Sequence, residues 1–332
     1  DLEIRKIWED QNNKYGTRPE GENGKWKVDF IIQYQDPKDV ETGEYHNVTT
    51  KDGEPLIVSI SSTELNQDTT TVKDLPFVAG RQYYAFELEP GYTTDNVDKY
   101  ICDENGGTFH IGYTVSYGDE NPVQGGDGQA DFITTATNTL GTTSVSVKKN
   151  WEPETLPDGD QYPSVTMKVQ YKSGPTEDDW EDLEGCTVTL NGSKTPAWEH
   201  TFEDLPKYYP GADGYAEKRE TQYRVVEAEG DGYVQKDVEV DEENNTFTFT
   251  NKPVVDFTVT KQWNSVPAEA YNWKVTVGLY RTTEEVTDYT SLAYDVEHMV
   301  TNENGQLLTV ELYGPDNLTA TFEDLDKYYM DE

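Results

Sequence analysis

The chain has 332 residues, and its 65 aspartates and glutamates outnumber its 26 lysines and arginines to give a formal charge of −39. So acidic a composition argues against attraction to nucleic acid or to an anionic membrane. No apolar run reaches the roughly 18 residues that a bilayer-spanning helix needs, and the length exceeds one ordinary β domain and fits two or three.

Glycine, proline, tyrosine and threonine are plentiful, and short alternating segments divided by turn residues read as strands, so the expected class is all-β. Cys102 and Cys186 fall in different units and predict no disulfide framework. His46, His110, His200 and His298 stand in unrelated contexts without a metal-ligand spacing, and neither metal nor cofactor is expected. The first residues already read as strand, without a basic and apolar leader, so an exported protein is expected to carry this sequence inside a longer parent.

In chain order the first element is "LEIRKIW" at 2–8. Successive side chains of a strand point to opposite faces, which puts Leu2, Ile4, Lys6 and Trp8 together. A lysine thus joins an apolar row, where an unpaired ammonium is costly. "TVKDLP" follows at 71–76, then "YYAFELEPGY" at 83–92, where Tyr83, Ala85 and Glu87 share a face. Tyr84, Phe86 and Leu88 make an equally apolar face, so Glu89 stands as the alternative to Glu87, which is preferred for its four-residue spacing from a tyrosine. Residues 98–129 read as an insertion, with aromatic residues at 112–122 that would suit a sugar or protein contact. "FITTATNT" at 132–139 puts Ala136 and Asn138 on one face.

After "LGTTS" at 140–144 the pattern begins again. "VSVKKNW" at 145–151 aligns Val145, Val147, Lys149 and Trp151; "YRVVEAE" at 223–229 aligns Tyr223, Val225 and Glu227; "TFTFTNK" at 246–252 aligns Phe247, Phe249 and Asn251. A third start, "FTVTKQW" at 257–263, aligns Phe257, Val259, Lys261 and Trp263. "TFEDLPKYY" at 201–209 returns as "TFEDLDKYY" at 321–329. These copies predict three units, 1–141, 142–253 and 254–332, with linkers short enough to make a monomeric rod. The third has no counterpart of the strands bearing Glu227 and Asn251, so Lys261 is expected to lack a partner in its own unit, as if the domain were cut and completed in a longer parent. The acidic runs at 177–185 and 237–244 lack the spacing of an EF-hand loop and read as solvated charge.

Lysine, carboxyl and carboxamide in one apolar interior define a reaction. A desolvated amine is neutral and nucleophilic. A glutamic acid kept protonated by the same surroundings polarises the amide, takes a proton from the attacking amine and gives one to departing ammonia. The product is an amide between two side chains, formed once per domain without a cofactor.

The ordered set "VSVKKNWEPETLPDGDQYPSVTMKVQY", "WEHTFEDLPKYY", "YRVVEAE" and "FTFTNK", with "KIWEDQNNKYGTRP" opening the first copy, resembles the Cna B-type domain of Gram-positive surface adhesins and pilins. The resemblance covers essentially the whole chain as three tandem units. It implies transthyretin-like, inverse immunoglobulin β-sandwiches held by self-formed isopeptide bonds. Carried over residue by residue, it assigns Lys6 and Asn138 with the acid Glu87, and Lys149 and Asn251 with the acid Glu227. It implies a structural stalk at the bacterial cell surface, flanked by other domains of a parent that holds the cell-wall anchor, and no turnover enzyme. The competing expectation is an adhesin module whose enlarged first domain contacts a host protein or glycan. A polymerising pilin would carry a sortase-type signal and a linking lysine in a recognisable motif, and neither is seen here.

Overall fold

The computed structural model describes residues 1–63, 66–89, 108–109, 112–120, 132–193, 197–264, 273–282, 287–288, 294, 296–302, 304–314 and 318–328. Among the described residues there is no α-helix. Cys102 and His110 lie outside them.

The first domain opens with β1 (Leu2–Glu9), in which every second residue is buried from Leu2 to Trp8. There follow β2 (Trp26–Gln35), β3 (His46–Asn47), β4 (Ile57–Ser62), β5 (Gln67–Val72), β6 (Gln82–Glu87), β7 (Thr108–Phe109), β8 (Tyr113–Glu120) and β9 (Phe132–Leu140). One sheet has the order β5-β1-β9-β8-β7; the other is centred on β2, which pairs with β3, β4 and β6. Leu2 and Ile4 from the first sheet meet Val28, Phe30 and Ala85 from the second, and Trp8 closes this core. Trp8 lies edge-on to Trp26 and Tyr113, with ring centroids at 5.6 and 5.1 Å.

The second domain repeats the plan with β10 (Thr142–Trp151), β11 (Val165–Lys172), β12 (Trp180–Leu190), β13 (Glu199–Pro206), β14 (Tyr223–Glu227), β15 (Tyr233–Asp241) and β16 (Thr246–Thr260). Its sheets are ordered β13-β10-β16-β15 and β12-β11-β14. In both domains the first strand runs parallel to the last, β1 beside β9 and β10 beside β16. The chain therefore enters and leaves each sandwich at opposite ends, which lets the domains follow end to end. Gly141 alone separates β9 from β10, and β16 runs unbroken from the second domain into the third.

The third domain contributes β17 (Lys274–Gly278), β18 (Thr309–Tyr313) and β19 (Thr319–Asp326). β19 pairs with the Val254–Thr260 part of β16 as β13 pairs with β10. Among the described residues no strand takes the place of β14 or of a last strand. Phe257, which the alternation predicts on a buried row, is accordingly 53% exposed.

The segment read as an insertion holds more of the sandwich than the sequence suggests. β8 pairs with β9 along its whole length, as β15 does with β16, and its Tyr113 and Val115 are core residues. Most of the remainder of 98–129 lies outside the described residues.

A shared backbone feature marks the recurring "DL" motif: Asp74, Asp204 and Asp324 adopt φ of 60°, 58° and 55°. Aspartate visits this left-handed region more readily than most residues. The facing strands shift register beside the latter two, between Thr143 and Val145 and between Val255 and Phe257.

Candidate functional site

Lys6, Glu87 and Asn138 are each 0% exposed, and three different strands deliver them to one point. In the parallel pair β1–β9, Lys6 sits opposite Ala136 and Trp8 opposite Asn138, so the carboxamide stands two residues beyond the lysine on the same face. Glu87, the last residue of β6, reaches in from the facing sheet. Its Oε1 lies 3.8 Å from Lys6 Nζ and accepts a hydrogen bond from Asn138 Nδ2 at 3.3 Å. Lys6 Nζ also donates to Ile7 O at 2.8 Å and lies 4.0 Å from the centre of the Trp8 ring.

The second domain builds the same arrangement with the same offset. Lys149 pairs with Phe249 and Trp151 with Asn251 along the parallel β10–β16 ladder. Glu227, the last residue of β14, places Oε2 3.9 Å from Lys149 Nζ, and its Oε1 accepts from Asn251 Nδ2. Lys149 Nζ donates to Asn150 O at 2.9 Å and to Phe249 O at 3.3 Å, beneath the Trp151 ring at 4.4 Å.

Burial governs the charge states. It pushes the Glu87 carboxyl up to about 7, against the pull of Lys6 and Asn138. It raises Glu227 against the hydrogen bond from Asn251, and it lowers the Lys149 amine to about 7 against the attraction of Glu227. Each shift favours the neutral form. The hydrogen bonds agree, because among the described residues Glu87 Oε2, Asn138 Oδ1, Glu227 Oε2 and Asn251 Oδ1 are buried without a hydrogen-bond partner. A proton on either carboxyl converts one acceptor of its pair into a donor for the other, which two acceptors cannot achieve while the acid is ionised.

The expected alternative, Glu89, is partly exposed and lies 4.0 Å from Lys218 of the second domain. Lys261 lies just past the end of β16, half-buried, with Nζ 4.5 Å from the Trp263 ring centre. Among the described residues no carboxyl and carboxamide gather around it as they do around Lys6 and Lys149.

The sequence reading missed a three-ligand grouping in the loop between β2 and β3. Asp39, Glu44 and His46 bring one potential ligand atom each within 4.8 Å of one another. His46 Nε2 and Asp39 Oδ2 already meet at 3.0 Å as a pair. Only the histidine was visible as a ligand type, because its carboxylate neighbours come from an acidic background without a motif.

Residues 145–252 match the Cna protein B-type domain family. A search of curated proteins found no match. Among solved structures, the chain is similar to a single B repeat unit of the collagen-binding surface protein Cna of Staphylococcus aureus, with 20% identity and a TM-score of 0.25 over 76% of this chain and 96% of that one. The two-repeat structure of the same protein gives 20% identity and a TM-score of 0.28 over 99% of this chain and 65% of that one. The major pilin from Streptococcus pyogenes gives 15% identity and a TM-score of 0.33 over 76% of this chain and 98% of that one.

Proposed function

We propose that the chain, whose residues 145–252 match the Cna protein B-type domain family, is a stalk segment of a Gram-positive cell-surface adhesin or pilus-like protein, stiffened by isopeptide bonds from Lys6 to Asn138 and from Lys149 to Asn251. One observation carries the reading: both domains set lysine, glutamate and asparagine on corresponding strands, with the same register offset between lysine and asparagine. A buried ion pair used only for stability has no need of the carboxamide, and such pairs are weak stabilisers in any case.

The chemistry balances within each triad. The neutral lysine Nζ attacks the asparagine Cγ, and the protonated glutamic acid donates to the amide oxygen as charge develops there. The carboxyl then takes a proton from the attacking nitrogen and passes one to the leaving nitrogen. The asparagine Cγ–Nδ2 bond breaks and ammonia departs, the oxygen's proton returns to the carboxylate as the carbonyl re-forms, the C–N bond to lysine remains, and the glutamic acid is restored. Digestion followed by tandem mass spectrometry tests this reading: peptides containing Lys149 and Asn251 are expected to travel as one branched species. Recovery of both as separate, unmodified peptides would refute it for the second domain.

The choice of acid makes a sharper prediction. Glu87→Gln keeps the shape but removes the proton exchange, and is expected to abolish linkage in the first domain. Glu89→Gln is expected to leave the branched Lys6–Asn138 species at its normal yield. The reverse result would reassign the acid.

A pH dependence follows once the bond is prevented. In Asn138→Ala, one of the two groups that hold the Glu87 carboxyl down is gone, so its folded-state value stays above the ordinary 4.5. A group raised by folding contributes stability that is present below its ordinary value and lost as pH rises through its folded value. The denaturant midpoint of the unlinked first domain is therefore expected to fall as pH increases from about 4.5 to beyond about 7. Adding Glu87→Gln should flatten that slope; an identical slope in both would show that Glu87 does not titrate there.

A further inference from the structure

After β1 the chain makes a tight excursion in which Gln11, Asn12 and Asn13 all take φ near the left-handed helix, at 57°, 61° and 59°. A buried ion pair fixes this loop. Arg18 Nε and Nη2 donate to Asp10 Oδ2 and Oδ1 at 2.7 and 2.6 Å, and Tyr113 Oη donates to Asp10 Oδ2 at 2.9 Å. Asp10 Oδ1 in turn accepts from the Asn13 amide at 3.1 Å. Such an investment of buried polar groups in a surface loop calls for a use.

The loop's apex supplies one. Tyr15 is 8% exposed, yet it packs in the core of the second domain and not in that of the first. Its hydroxyl lies 3.6 Å from Cys186 Sγ on β12. Gln11 Nε2 reaches Asp204 O at 3.5 Å, and the Lys207 amide donates to Gly141 O at 2.9 Å. Gly112 lies against the same segment: a Cβ there would stand 3.5 Å from both Cβ and O of Tyr208. Apart from Cys186, the residues named here as receiving the first domain, Asp204, Lys207 and Tyr208, belong to "DLPKYY", the motif that recurs.

The next junction uses the same parts. The Lys327 amide donates to Pro253 O at 3.1 Å, as Lys207 does to Gly141. Tyr328 Oη donates to Asp160 Oδ2 at 2.8 Å, and Asp160 lies in the loop after β10, the counterpart of the loop carrying Tyr15. Two junctions with dissimilar loops meet the same motif at the same place.

We infer that the D-L-x-K-Y-Y segment is a docking seat for the preceding domain, and that Tyr15 is a plug that completes the core of the second domain from outside it. The first two domains then open as one unit, and the second is incomplete without its neighbour. The inference is independent of whether either isopeptide bond forms.

The test reads the far side of the seam. In the 332-residue chain carrying Cys102→Ser, a maleimide labels only Cys186, which is 3% exposed. Tyr15→Ala is expected to raise the native-state labelling rate by at least about tenfold, since loss of a large buried side chain lowers the local cost of opening. Tyr15→Phe, which keeps the ring and loses only the hydroxyl, is expected to stay within about twofold of the parent. Because Tyr15 takes no part in the first domain's core, the substitution does not threaten that domain's folding, which near-ultraviolet circular dichroism checks. An unchanged labelling rate in Tyr15→Ala would overturn the inference.

Discussion

The purified chain is expected to weigh two ammonia masses less than its sequence requires, and Glu227→Ala is expected to weigh one ammonia less than its own sequence. Each closure expels one ammonia, so the intact mass counts bonds directly. A primary carboxamide does not react with an amine in water at a useful rate, and the bare presence of the three groups would not suffice. Holding them in contact within a dry core supplies on the order of 7–11 kcal/mol of the barrier. The neutral forms that burial favours at Glu87, Glu227 and Lys149 remove the cost of discharging an ion pair first. Two losses are expected and not three, because Lys261 stands half-buried past its strand end without the other two groups among the described residues. Glu87→Ala together with Glu227→Ala should restore the full mass. A full mass in the unmodified chain would leave both lysines as buried ion pairs.

Asn251→Ala is expected to cost the second domain far more stability than loss of one hydrogen bond explains. The closed loop from Lys149 to Asn251 spans about 100 residues, for which the chain-entropy treatment of cross-links gives about 4.7 kcal/mol. For a domain of this size that corresponds to a melting-temperature drop on the order of 20 °C. A buried asparagine hydrogen bond alone is worth only about 1 kcal/mol. Differential scanning calorimetry distinguishes the two magnitudes, and Glu227→Ala provides the control because it blocks the same bond from another strand. A drop of only a few degrees in both variants would mean that no covalent tie had been lost.

Strict alternation made the inward lysines legible, because Lys149 sits in a row whose outward neighbours Ser146, Lys148 and Asn150 are polar, and Lys6 in one whose outward neighbours Glu3 and Arg5 are charged before the single apolar Ile7. Alternation failed at Glu87 against Glu89 for a physical reason. β6 is at least partly buried on both faces, so neither row is marked as the inner one by composition. β8 was hidden within glycine- and aspartate-rich flanks that mask a short strand. In the third domain the pattern was present, but Phe257 is exposed because no described strand covers it, and periodicity reports what a strand can bury, not whether a partner arrives. Tyr15 was the hardest to see. It lies in "DQNNKYGT", a stretch with every mark of a solvated turn, and its partner Cys186 is 171 positions away. Local sequence carries no signal for an apolar side chain that belongs to another domain's core.

The parallel pairing of first and last strands has a consequence when the chain is pulled. With the proposed bonds in place, tension entering at Asp1 follows β1 to Lys6, crosses to Asn138, continues through β9 and β10 to Lys149, and crosses again to Asn251 on β16. Residues 7–137 and 150–250, which hold nearly all of both cores, hang beside this route as slack. The cable is a few strand segments long, and the folded bodies are hung upon it. A substitution that loosens either core should lower a melting temperature without lengthening the molecule under load.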